Sequence, residues 1–96
     1  MAAKAVRQGD INSAGGATIS GSKKVFVNGR PLCFPGIPVT PHPCCGDEGC
    51  EKHCTAKTSG GSSKVFVDGN PVIKVGDNDT CDHPRVTGSP NVIIGG

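Results

Sequence analysis

Ser22-Lys23-Lys24-Val25-Phe26-Val27-Asn28-Gly29-Arg30-Pro31 recurs further along the chain as Ser62-Ser63-Lys64-Val65-Phe66-Val67-Asp68-Gly69-Asn70-Pro71. A third, shortened copy, Ser89-Pro90-Asn91-Val92-Ile93-Ile94-Gly95-Gly96, ends the chain. The half it lacks stands at the other terminus, where Ala5-Val6-Arg7-Gln8-Gly9-Asp10 matches Val72-Ile73-Lys74-Val75-Gly76-Asp77. Three units are therefore present, one of them split between the termini. Self-similarity of this kind marks a supersecondary unit that buries its apolar side only against its neighbours.

Working outward, the spacings agree. Gly9 to Gly21 and Gly76 to Gly88 are each 12 residues, whereas Gly36 to Gly61 is 25. The middle unit thus carries a 13-residue insertion, at about 41–54, reading Pro41-His42-Pro43-Cys44-Cys45-Gly46-Asp47-Glu48-Gly49-Cys50-Glu51-Lys52-His53-Cys54. It holds four of the six Cys and two of the three His.

Each unit reads as β structure. Val25-Phe26-Val27 and Val65-Phe66-Val67 are β-branched and aromatic runs followed by Asn28-Gly29 and Asp68-Gly69. Those dipeptides favour a two-residue type I′ hairpin, which needs positive φ at both central positions. Pro31 and Pro71, lacking a donor, suit the first residue or an edge of the returning strand. No helical apolar period is found. The expected fold is all-β, a pseudo-threefold cone or prism of short hairpins forming one domain over 1–96.

Composition explains why such a body needs help. The 96 residues are only 34% hydrophobic, with three Phe, no Trp and no Tyr. Gly and Pro contribute 15 and 8 residues. A domain this small buries only about 60–65% of its unfolded surface, and small domains compensate with metals or disulfides. Where three hairpins converge, little apolar volume remains, and a tetrahedral Zn2+ would fasten the narrow end. Candidate ligands lie in the loops that follow the repeated strands: Cys81 and His83 in the third unit, His42 in the middle unit, and His53 and Cys54 where the insertion rejoins the repeat. The first unit, Gly9-Asp10-Ile11-Asn12-Ser13-Ala14, offers neither Cys nor His.

Other classes are disfavoured. No run approaches the roughly 18 apolar residues of a membrane span, and Met1–Asp10 lacks a signal-peptide core. A net charge of +2 without a basic cluster argues against nucleic acid. Asp10, Asp77 and Asp79 read as turn carboxylates rather than catalytic ones, and no catalytic motif is present, so the chain is not expected to be an enzyme.

The repeated Ser-x-x-Val-x-Val-[Asn/Asp]-Gly-x-Pro element, the pairs Gly9-Asp10 and Gly76-Asp77, and the ending Thr87-Gly88-Ser89-Pro90-Asn91-Val92-Ile93-Ile94-Gly95 together resemble the PAAR-repeat family. These are conical tip proteins of type VI secretion spikes and contractile phage tails. The family's tetrapeptide is not literally present; Pro31-Leu32-Cys33-Phe34 and Pro71-Val72-Ile73-Lys74 stand in its place. The resemblance implies a cone whose base caps a trimeric β-helical spike protein, one copy per trimer, and whose apex holds one structural zinc through three His and one Cys. Carried over, that set is His42, His53, Cys81 and His83, with Cys54 a substitute for His53. It also implies transient contact with a target membrane and no nucleic acid. The setting is the bacterial cytoplasm before firing and the exterior or target cell afterwards, or a virion tail tip. With both termini consumed by the repeat, any effector cargo is expected to be separate.

Two alternatives compete on the Cys residues. A metal-binding or redox module would use Cys44, Cys45, Cys50 and Cys54, although no Cys-x-x-Cys occurs. A disulfide-rich secreted toxin would pair them. Within a spike tip the same residues could staple the insertion, Cys44 or Cys45 joining Cys50 or Cys54; six Cys allow 15 pairings. Cys33, in a strand, reads as a small buried hydrophobe. Val25, Val27, Val65, Val67, Val92 and Ile94 share one strand face, and Phe26, Phe66 and Ile93 the other. One of these sets meets the partner, and the first is expected to form the core or the docking base. Lys23, Lys24 and Lys64 read as a solvated face.

Overall fold

The computed structural model describes residues 3–42 and 45–95. Cys44 lies outside them, and so does the expectation that it enters a bridge. Among the described residues, six two-residue strands form three antiparallel ribbons. β2 (Phe26–Val27) pairs with β3 (Arg30–Pro31), and β4 (Phe66–Val67) with β5 (Asn70–Pro71). β1 (Ala3–Lys4) pairs with β6 (Ile93–Ile94), Ala3 opposite Ile94, so the split unit is completed by the two ends of the chain. Among the described residues the only helical segment is a 3₁₀ turn at Glu51–His53. No helix among the described residues is long and apolar enough to cross a membrane. The fold is all-β, as the repeat requires.

The turns behave as their residues dictate. Asn28 and Gly29 have φ of 55° and 77°, and Asp68 and Gly69 have 50° and 80°. Positive φ at both central positions is the type I′ geometry, whose twist matches that of the flanking strands.

Two backbone rings join the units. The Val6 N–H donates to the Ile73 carbonyl (3.0 Å), Ile73 N–H to Cys33 (3.1 Å), and Cys33 N–H back to Val6 (3.0 Å). Val6, Cys33 and Ile73 occupy equivalent positions in the three units, and each is fully buried. Further along the loops, isolated bridges link Thr18 with Val39, Thr58 with Asp79, and Arg85 with Asn12, again one unit to the next in cyclic order. Each ring satisfies buried backbone groups that strands this short cannot pair within their own ribbon.

A third ring is built from side chains. Ser22, Ser62 and Ser89 are buried. Each hydroxyl accepts the backbone N–H groups two and three residues on, at 2.9–3.2 Å. Each also donates to the turn of the next ribbon: Ser22 to Asp68 Oδ2 (2.7 Å), Ser62 to the Gly95 carbonyl (2.6 Å), and Ser89 to Asn28 Oδ1 (2.6 Å). The serine opening each repeat copy is thus a latch between neighbouring hairpins.

The core is layered. Ala5, Leu32, Val67, Val72 and Ile94 form a cluster beside the ribbons, lined by Val27, Val65 and Val92. Val6, Cys33, Ile37 and Ile73 form the next, and Val39, Ala56 and Cys81 the last. The principal extents are 38 × 25 × 24 Å, one long axis and two nearly equal short ones.

This layering separates the two strand faces. Val67 and Ile94 are buried, and Val27, Val65 and Val92 pack on the same cluster. Val67 and Ile94 thus belong to the core, while Val27, Val65 and Val92 are half-buried at its edge. Val25 is 38% exposed, and Phe26, Phe66 and Ile93 are 54%, 58% and 54% exposed. The surface that the ribbons present is the Phe/Phe/Ile set. Lys23, Lys24 and Lys64 are exposed.

Candidate metal centre

The two Asp of the Gly-Asp pairs shape the loops leading to the centre. Asp10 Oδ2 accepts the Arg7 N–H at 2.7 Å, and Asp77 Oδ2 accepts the Lys74 N–H at 3.0 Å. Each carboxylate also takes its own repeat's cation, Arg7 at 3.0 Å and Lys74 at 2.8 Å. Burial alone would push the Asp10 carboxyl up. The Arg7 hydrogen bonds and charge, with the Thr87 hydroxyl, outweigh it and hold the carboxyl below its ordinary value. In the middle unit the matching pair is apolar, Phe34 and Ile37.

Beyond the second ring, four side chains from two units converge. His42, His53, Cys81 and His83 each offer a ligand atom, and all four atoms lie within 4.8 Å of one another. Three of the residues are buried and His83 is half-buried. The imidazole centroids are 4.9–5.5 Å apart. His42 Nε2 stands 3.2 Å from His53 Nδ1 and 3.4 Å from Cys81 Sγ.

The two short separations, 3.2 and 3.4 Å, are close to the edges of a tetrahedral site. Zinc–nitrogen bonds of about 2.0–2.1 Å and a zinc–sulfur bond of about 2.3 Å give tetrahedral edges of about 3.3 and 3.6 Å. The outer hydrogen bonds fit as well. His42 Nδ1–H donates to the Thr40 carbonyl at 2.9 Å, which leaves the Nε2 lone pair facing the cluster. His83 Nδ1 pairs with Ser13 Oγ at 3.2 Å, leaving its Nε2 for the centre. Burial and then the charges of His83 and His42 push His53 below its ordinary value, towards the neutral form that a metal requires. The group could hold a metal ion.

Each ligand is delivered by a local device. Cys81 and His83 flank Asp82, whose φ of 71° turns the chain so that both face inward. Asp79 N–H donates to the His83 carbonyl at 2.9 Å and closes that turn. His42 and His53 are tied across the insertion by a backbone bond of 3.2 Å, and His53 rides on the 3₁₀ turn. The first unit supplies packing instead of a ligand. A Cβ on Gly16 would lie 2.5 Å from His42 Nδ1 and 2.6 Å from Val39 Cγ1, so only glycine permits this approach.

The remaining cysteines fall into two kinds. Cys45 and Cys54 form a disulfide, and Cys50 is also disulfide-bonded. Cys54 therefore has no thiolate to offer, and its role as a substitute for His53 is corrected by that pairing. Cys33 is fully buried, and burial pushes its thiol up to about 11, in keeping with a small core residue.

Asp79, read from the sequence as a turn carboxylate, has a partner in Arg85 that the sequence reading did not give it. Arg85 and Asp79 are buried together behind the centre, Nε to Oδ1 at 3.4 Å. The signal was available in the repeat register. Counting from Gly9 and Gly76 puts Asn12 at the Asp79 position and Thr18 at the Arg85 position.

An all-β body of three interlocked ribbons with a buried His₃Cys group defines a small structural domain with a candidate metal pin. Residues 8–84 match the family model of the PAAR motif, and the chain belongs to the PAAR-motif family. That match supports a spike-tip role in type VI secretion systems or phage tails. No curated protein matches the chain.

Proposed function

We propose that residues 1–96 act as one domain, the tip of a contractile, membrane-piercing spike that performs no chemistry of its own. The ribbon end caps the trimeric β-helical spike protein, one copy per trimer. The body tapers from there to an apex pinned by one structural Zn2+ on His42, His53, Cys81 and His83. The observation that carries this reading is the outward triad Phe26, Phe66 and Ile93. One large apolar side chain per ribbon, each more than half exposed, repeats three times around one body. A threefold partner presents three equal apolar sites, and a pseudo-threefold monomer can fill all three at once. Val25 borders this surface.

The taper is supported by the core clusters, of five, four and then three buried residues along the chain's layers. Cross-linking is what a bound ion would supply where the smallest cluster ends. His42 and His53 would hold the middle unit to the third through Cys81 and His83. A metal or iron–sulfur centre built on the insertion would need free thiolates there, but Cys45, Cys50 and Cys54 are in disulfides. The site of action is the bacterial cytoplasm before firing and the target cell after it, or a phage tail tip.

Two measurements test the reading. Metal analysis of purified protein should give one zinc per chain. Mixing with a spike trimer should give one chain per trimer by mass, and Phe26→Asp with Phe66→Asp should abolish the complex without lowering the melting temperature. Another stoichiometry, or a complex indifferent to those charges, would sink the docking model.

A further inference from the structure

Among the described residues Arg85 is the largest fully buried side chain, and its two Nη atoms are not spent on its own repeat. Thr18 and Thr58, the residues at its position in the other units, cap carbonyls of their own repeats, Arg7 at 2.8 Å and Phe34 at 2.7 Å. Arg85 instead reaches into the first unit. Its Nη2 donates to the Gly16 carbonyl at 2.6 Å and its Nη1 to the Asp10 carbonyl at 3.3 Å. Its Nε faces Asp79 Oδ1 at 3.4 Å; both side chains are 0% exposed, and neither of those two atoms has a hydrogen-bond partner. The other carboxylate oxygen of Asp79 accepts Asn12 Nδ2 of the first unit at 2.9 Å.

The place of this cluster matters. Asp79 closes the turn that carries Cys81 and His83, through the bond from its N–H to the His83 carbonyl. Gly16, which accepts Arg85, packs against His42. In the repeat register the first unit has Ala14 and Gly16 where the third has Cys81 and His83, so it contributes no ligand. A buried ion pair seldom stabilises a fold more than apolar residues of the same volume. What this pair does supply is a fixed geometry between the ligand-bearing turn and the ligand-free unit.

We propose that Arg85 and Asp79 are positioning residues of the metal centre, tying the Cys81–His83 turn and the wall behind His42 to the first repeat in place of a ligand that repeat lacks. The inference rests on the reading of the His₃Cys group as a metal site. Outer partners of this kind typically alter metal affinity by about 10–100-fold.

The internal repeat supplies the variant that should fold. Asp79→Asn with Arg85→Thr copies the Asn12/Thr18 pair into the third unit, and Arg85→Lys keeps a cation without the fork that spans two carbonyls. Wild type and both variants are loaded with Co2+ for absorption and with Zn2+ for chelator competition. Both variants should bind Zn2+ roughly 10–100-fold more weakly, with a shifted cobalt spectrum, the lysine variant less affected than the double one. Amide exchange over 79–85 in the metal-free protein should quicken in both. A purely structural role would lower the melting temperature and leave affinity and spectrum alone. Wild-type affinity and spectrum in either variant overturn the inference while leaving the metal site standing. A wild type that takes up no ion overturns the metal reading and this inference with it.

Discussion

Removing one hydroxyl of the serine ring should loosen the ribbons measurably. In Ser62→Ala the lost oxygen accepts the Lys64 and Val65 N–H groups, each at 3.0 Å, and donates to the Gly95 carbonyl at 2.6 Å. The donated bond is worth about 1 kcal/mol net, and each N–H left without its partner costs about 0.5 kcal/mol or more where water reaches it in part. The sum is about 2 kcal/mol. For a domain of this size it lowers the melting temperature by roughly 8–16 °C. Ser22→Ala and Ser89→Ala remove the equivalent set and should agree with Ser62→Ala to within about 1 kcal/mol. The assay is denaturant and thermal unfolding of the metal-free protein, so that ion binding does not mask the difference. Losses under about 0.5 kcal/mol, the range of ordinary surface substitutions, would refute the latch. So would one large loss beside two negligible ones, since the ring treats its members alike.

Three further outcomes follow from particular contacts. Asp10 has its folded-state value depressed below the ordinary 3.8, so its stabilisation is complete above that value and is lost as the pH falls through the lower folded one. Wild type should therefore exceed Asp10→Asn in melting temperature at neutral pH, and the gap should close in acid below about pH 4; a gap unchanged at pH 2 contradicts this. Gly16→Ala drives a methyl into His42 Nδ1, which is held on the Thr40 carbonyl and cannot yield. It should cost about 1–3 kcal/mol in unfolding, and a neutral result would mean that the wall behind His42 is soft. Cys45→Ser with Cys54→Ser opens a loop whose closure is worth about 2–3 kcal/mol. Calorimetry showing no loss would mean that the insertion is pinned without its bridge.

Much of this architecture could be read in one dimension because it is local. Asn28-Gly29 and Asp68-Gly69 favour the positive φ that they adopt here, so the hairpins and the register between copies needed no tertiary information. The match of Val72–Asp77 to Ala5–Asp10 likewise foretold that the two ends pair, as β1 and β6 do. The four candidate ligands could be picked out because Cys and His are scarce among loops of Gly, Ser and Asp. Their nitrogen and sulfur atoms meet within 4.8 Å.

Closure of the three units onto one another decided the rest. Alternation placed Val67 and Phe66 on opposite faces, but only the assembled core determined that the valine is enclosed and the phenylalanine is left exposed. The choice of Cys54 for Cys45, the acceptors that Ser22, Ser62 and Ser89 find on the next ribbon, and the reach of Arg85 to Gly16 are contacts whose partners the repeat does not specify. Turn chemistry acts over two to four residues, whereas burial and long-range hydrogen bonding arise when distant segments exclude water together. That is why the ribbons could be foreseen and the rings that bind them could not.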